Sequence, residues 1–227
     1  MRVIDISGPI YDGMWNYSEP LASMLGSFKL SKIRFDFGGE KYTIDVFDGF
    51  KAQTGTYIES PGQYLENNDY KISDIPIDKL FMIDTYVLKI PYAKLSEKDG
   101  KKFVTPDEIF KAELENIPQG KAILIATGYG KYWESKDFFH RSWFFKREAM
   151  EYIISKKPFL LGTDSAEWEN PKNPEGIFKM FYPANILILA SCINLQEIKE
   201  FRVKLTVLPF KVTGSCIAPV RAMVLED

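Results

Sequence analysis

Two hydrophobic rhythms run through the chain. Between Phe28 and Phe37 apolar and polar residues alternate (Phe28, Leu30, Ile33, Phe35, Phe37), the pattern of a half-buried strand. Gly38-Gly39 then supplies a hairpin turn, and Tyr42–Phe47 returns as the partner strand. Val3–Ile6 reads as a short strand closed by Ser7-Gly8-Pro9. Phe81–Ile90 and Phe201–Val212 read as strands with one apolar face. The second rhythm is continuous. Lys121–Thr127, Phe159–Asp164 and Ile186–Leu189 are apolar runs bounded by turn signals, as expected of strands buried on both faces. Helical signals are fewer. Thr105, Pro106 and Glu108 form an N-cap sequence opening a helix to about Glu115. Lys146–Ser155 places Ala149, Met150, Ile153 and Ile154 on one helical face. The pattern predicts a mixed α/β fold.

Between the hairpin and the Phe81 strand lies Gln53–Tyr64, which fits neither rhythm. Gly55-Thr56 and Pro61 make it a bent connection. Gln53, Tyr57, Glu59 and Gln63 crowd polar groups into that loop, the arrangement either of a hydrogen-bonded surface loop or of side chains converging on a ligand.

A length of 227 residues suits one large domain or two small ones, and without a linker or repeat we expect a single domain over residues 1–227. The formal net charge of -2 argues against nucleic acid and anionic membrane as partners. The longest apolar runs are far too short to span a bilayer, and no signal-peptide core precedes Val3. With two cysteines and no Cys-x-x-Cys, a reducing cytoplasm is the expected location. One count changes the picture most. The chain holds a single histidine, His140, set among Phe138, Phe139, Arg141 and Trp143, where it reads as structural or surface. A site built from several imidazoles is therefore ruled out by counting.

The Gln53–Gln63 loop resembles the signature His-x-Gly-Thr-His-x-Asp-x-Pro-x-His of the metal-dependent hydrolases of the cyclase family, which includes kynurenine formamidase and isatin hydrolase. Gly55, Thr56 and Pro61 fall in register, whereas Gln53, Tyr57 and Gln63 stand at the histidine positions and Glu59 at the aspartate. Further landmarks resemble the family from end to end: Asp5-Ile6-Ser7 with Pro9-Ile10, Thr127-Gly128-Tyr129, Tyr132-Trp133, Gly162-Thr163-Asp164, Asn194-Leu195 and Pro219-Val220-Arg221-Ala222. Two later ligand positions correspond to Phe178 and Ala190.

The resemblance implies an α/β fold, the swivelling β/β/α barrel-like domain of the cyclase family, and a homodimer or higher oligomer. It also implies a pocket near the signature loop, lined in part by the aromatic segment Tyr11–Tyr17 and approached by the Gly-x-Asp strand end. The expected substrate-binding residues are thus Gln53, Trp15, Tyr11, Phe178 and Asp164, with Glu167, Trp168 and Glu169 at the rim. Glu59 is the candidate general acid or base, Tyr57 its hydrogen-bond partner or proton donor, and Gln63 a third catalytic candidate. No metal and no cofactor is expected; loosely held Mg²⁺ through Glu59 and Asp164 is the remaining metal alternative, and Cys192 the one soft group nearby. Three functions stay open. They are a metal-independent enzyme acting on a small carbonyl or cyclic substrate, a non-catalytic binder of a small molecule or partner, and an arylformamidase-like amide or ester hydrolase with unusual ligands.

Overall fold

The computed structural model describes residues 1–17, 21–64 and 69–227. Its strands are β1 (Arg2–Asp5), β2 (Lys29–Phe37), β3 (Glu40–Asp48), β4 (Tyr57–Glu59), β5 (Ile83–Lys89), β6 (Ser96–Lys98), β7 (Lys101–Val104), β8 (Ala122–Ala126), β9 (Phe144–Phe145), β10 (Leu160–Thr163), β11 (Leu187–Ala190), β12 (Arg202–Pro209) and β13 (Ile217–Glu226). The α-helices are α1 (Leu21–Leu25), α2 (Pro106–Ala112), α3 (Arg147–Ser155) and α4 (Ile177–Phe181).

Among the described residues, seven strands close into a barrel in the order β13-β12-β5-β8-β10-β11-β4, with β4 pairing back onto β13 and β1 added outside β13. The three continuous apolar runs lie together at its parallel centre, β8 between β5 and β10, and β11 beyond β10. Period-2 alternation divides their side chains between two cores. Ile58, Val87, Leu124, Leu160, Leu189, Leu205 and Val224 fill the barrel interior, with every barrel strand contributing. Tyr57, Leu88, Ile123, Leu161, Ile188 and Ala190 point outward into a second core rich in aromatic rings. Helices α2 to α4 pack in succession near that outer layer. The α2 start is the expected capping box, Glu108 Oε2 accepting from the Thr105 N–H at 2.7 Å.

Four expectations shift. The helix opened by Thr105 ends at Ala112 rather than Glu115, the Phe81 strand begins at Ile83, and the Phe201 strand spans Arg202–Pro209. The Pro219-Val220-Arg221-Ala222 landmark, for which no element was expected, lies within the ten-residue β13 that completes the barrel. The largest difference is the hairpin. Both strands and the Gly38-Gly39 turn form, each glycine at positive φ. The ribbon nevertheless projects from the barrel, paired only with itself, and is exposed rather than half-buried. One face carries Ile33, Phe35, Phe37, Tyr42 and Ile44, all between 41% and 71% exposed, and the other Lys32, Arg34, Asp36, Lys41 and Asp45. Alternation predicted a two-faced strand correctly; within one chain the apolar face has nothing to lie on.

Candidate active site

The signature-like loop leads into β4, three residues long and buried throughout. Gly55 adopts φ +78°, and a Cβ there would lie 2.9 Å from Ile10 Cγ1, so the bend requires glycine. Thr56 Oγ1 donates to the Ser191 carbonyl at 2.8 Å and accepts from the Gly8 N–H at 2.9 Å, tying the N-terminal segment to the end of β11. Pro61 opens the single turn that carries Gln63. The residues in register with the family pattern are thus the ones that shape the backbone.

Glu59 ends β4, opposite Ile188 of β11 and Ile217 of β13. Its side chain takes the outward parity and is only 4% exposed. The Tyr182 hydroxyl donates to Oε1. The Gln63 amide nitrogen, in the orientation that satisfies both groups, lies 2.8 and 2.7 Å from the two carboxylate oxygens, and Gln53 Nε2 is 3.5 Å from Oε2. Burial lifts the Glu59 carboxyl to a pKa of about 7, against the opposing pull of the Tyr182 and Gln53 hydrogen bonds. Burial also pushes the Tyr182 phenol well up, and the nearby Glu59 charge adds to this. Both thus enter neutral solution able to hold protons.

Glu59 faces a cavity of about 520 Å³ that opens to solvent. Gln53, Tyr57, Gln63 and Phe178 line it, together with Tyr17, Tyr64, Phe139, Trp168, Glu167, Glu169 and Tyr182. Tyr64, Tyr182 and Phe178 form a ring stack, with centroids 5.1 and 5.4 Å apart at 15° and 18°. Glu167 is ion-paired with Lys101, and Glu169 Oε1 accepts the Gly176 and Ile177 N–H groups at the start of α4.

Several site expectations do not fit this geometry. Tyr57 is not the partner of Glu59. Two positions apart on one strand, the two side chains run side by side, and the Tyr57 hydroxyl bonds Tyr17 instead. Trp15 lies in the aromatic core and borders a separate small cleft, packed edge-on to Trp133 at 5.1 Å. Tyr11 packs beside it, its hydroxyl 3.5 Å from the Trp133 carbonyl oxygen. Asp164 is fully buried and does not line the cavity. Its Oδ2 accepts N–H groups of Thr127, Gly128 and Tyr129 at 3.0, 2.7 and 3.0 Å, and Oδ1 accepts the Thr127 hydroxyl at 2.7 Å and Trp143 Nε1 at 3.2 Å. It clamps the loop after β8. Ala190 lies in the outer core opposite Tyr57. Cys192 is a buried free thiol whose pKa burial raises far above its ordinary value. The residue that sequence reasoning missed is Tyr182. Its signal was the i, i+4 spacing from Phe178, legible only once α4 is known to run there.

The family model described as "Putative cyclase" matches residues 4–170, most of the chain. The chain belongs to this family. A comparison with curated proteins finds no match. Among solved structures, this cyclase-family chain is similar to a predicted metal-dependent hydrolase from Bacillus stearothermophilus, at 22% identity and TM-score 0.74, covering 98% of this chain and 97% of that one. It is similar to isatin hydrolase A from Ralstonia solanacearum at 18% identity and TM-score 0.81, covering 100% and 92%. An isatin hydrolase bound to the product analogue thioisatinate gives 18% and 0.81, with 99% and 92% covered. These likenesses show the fold, the cyclase-family barrel with its α/β cover. Family and fold together support a protein of the cyclase or hydrolase type.

The metal named for the first of those neighbours finds no matching donors around Glu59. Among the described residues no group of three or more His, Cys, Asp or Glu side chains could hold an ion. One carboxylate hydrogen-bonded by two carboxamides and a phenol lacks the imidazole or thiolate donors a transition metal prefers.

Proposed function

We propose that this protein is a metal-independent enzyme that moves protons on a small carbonyl-bearing or cyclic substrate, with Glu59 as general acid and base. The observation that carries the reading is the placement of Glu59. It is a buried carboxyl with a pKa of about 7, at the wall of a solvent-open cavity of small-molecule size. A group titrating near neutrality is populated in both states, so it accepts a proton from one substrate atom and returns it to another. Tyr182 and Gln63 fix the carboxyl's rotamer and supply the hydrogen bonds that stabilise its ionised form. Isomerisation, hydration or dehydration, and ring closure all need only such transfers. The stacked rings of Tyr64, Tyr182 and Phe178 give a planar substrate a surface to lie against.

The reading extends to assembly. A two-stranded ribbon is marginal in water by itself. Here one face is charged and the other a continuous apolar stripe, which calls for burial of the stripe alone. A second copy of the chain, present at the same concentration and carrying the same stripe, supplies that cover.

The test is turnover of a panel of small cyclic amides, lactones, enols and hydroxy-ketones by wild type and Glu59→Gln. Activity should follow a titration near pH 7 and fall by about 10²-fold or more in the variant, the usual scale for a general acid–base residue. Undiminished turnover in Glu59→Gln would end the reading.

A further inference from the structure

We infer that the Glu59 cavity selects a positively charged ligand, a small organic cation such as a protonated or quaternary amine carried on a ring or chain. This names the substrate class of the proposed site and rests on that cavity being the working one.

Three carboxylate side chains line the cavity, Glu59 from β4 and Glu167 and Glu169 from the segment between β10 and α4, and no Lys or Arg lines it among the described residues. Of the nearby basic groups, Lys101 is held against Glu167 as an ion pair. His140 also acts on Glu167. Glu169 is stabilised by the two N–H groups at the start of α4. These partners offset part of the negative charge at the Glu167–Glu169 side. At the Glu59 side the partners are neutral amides and phenols, which hydrogen-bond a carboxylate without cancelling its charge. An anionic ligand would meet a buried carboxylate with no counter-charge at that end, an unfavourable arrangement even in a cavity open to solvent.

The cavity wall is aromatic. Tyr17, Tyr64, Phe139, Trp168, Phe178 and Tyr182 surround the same volume. Aromatic faces carry negative potential, and rings gathered beside a carboxylate are the arrangement that holds ammonium groups. Ring walls alone would suit any flat molecule; ring walls beside an uncompensated carboxylate favour a cation.

Binding a cation favours ionised Glu59, so it draws off the proton that the empty cavity retains near neutrality. Affinity for a permanently charged ligand should therefore rise about 10-fold from pH 6 to pH 8, with proton release on binding. Tyr17, Tyr57 and Tyr182 stay protonated across this range, because burial raises all three.

The experiment is titration calorimetry on the full chain with a matched series at pH 8: benzylammonium, benzyltrimethylammonium, benzyl alcohol and benzoate. The cations should bind at least about 10-fold more tightly than benzoate, with the alcohol between, and Glu59→Gln should remove most of that preference while still binding the alcohol. Benzoate binding as well as the cations, equal affinity across the series, or no binding by any member would overturn the inference. The readout is binding, so the two readings fail separately. Cation selectivity without turnover retires the catalytic reading alone, whereas Glu59-dependent turnover of an anionic substrate retires the cation alone.

Discussion

Replacing Glu59 with glutamine should stabilise the protein, by an amount that grows as pH rises from about 4.5 to about 7 and is then constant. In the unfolded chain a glutamate titrates near its ordinary value of 4.5; in the folded state burial holds Glu59 to about 7. Below pH 4.5 both states are protonated and the residue costs nothing. As pH rises, the unfolded state releases its proton first, so folding must take that proton back or bury a charge. Stability therefore drains away up to about pH 7 and then levels off. Each pH unit of separation is worth about 1.4 kcal/mol, which puts the loss between pH 5 and pH 8 at about 2–3 kcal/mol. With 4% of the residue exposed, solvent screening removes little of this. Glutamine cannot ionise, and it keeps an oxygen for the Tyr182 hydroxyl. Urea unfolding of wild type and variant, followed by fluorescence of the four tryptophans, gives the comparison directly. The variant's advantage should grow by about 2–3 kcal/mol between the two pH values, or about 2–4 °C in Tm per kcal/mol for a chain of this size. An offset that is the same at pH 5 and pH 8 would refute the buried-acid argument.

Other outcomes follow from the same contacts. Tyr182→Phe removes a donor that favours ionised Glu59, so the midpoint of any Glu59-dependent pH profile should move above 7; a downward move would contradict the geometry. Asp164→Ala leaves three backbone N–H groups and Trp143 Nε1 without their acceptor and should cost at least about 3 kcal/mol in urea unfolding, with Asp164→Asn costing less. Gly8→Ala would drive a Cβ to 2.2 Å from the Trp133 ring and should lower Tm by several degrees, on the order of 2 kcal/mol. The double variant Phe35→Asp, Ile44→Asp should convert an assembled wild type to monomer in light scattering; a monomeric wild type, or assembly that survives both charges, would reject self-association through the ribbon.

Much of the barrel was legible because its central strands are buried on both faces and must read as unbroken apolar runs, as Ala122–Ala126 and Leu187–Ala190 do. β13 was harder. Gly214, Ser215 and Pro219 are turn formers just before and within it, and its interior-facing alternation of Ala218, Val220, Ala222 and Val224 contains two small residues that carry little hydrophobic signal. The site divides along similar lines. Gln53, Glu59 and Gln63 were found because they sit in one short loop, where sequence spacing limits spatial spacing. Tyr182 comes from the far end of the chain, and only α4 brings it back to Glu59. Asp164 was placed in the pocket by its motif position, but its oxygens face the turn after β8, and sequence does not say which way a strand-end carboxylate turns. The hairpin was legible in pattern and misread in burial, because alternation reports that one face seeks cover without saying which molecule provides it.

The short strand β4 is the piece that closes the barrel, and it does so across long stretches of sequence. Residues 57–59 hydrogen-bond to residues 188–190 on one side and 217–219 on the other. Such pairings demand that most of the chain be organised before their loop-closure entropy is repaid, so high contact order places them late on the folding route. Glu59 rides on that seam. Its raised pKa is thus a property of the finished barrel alone, and an acid still titrating near 4.5 during refolding would mark a chain whose last joint has yet to form.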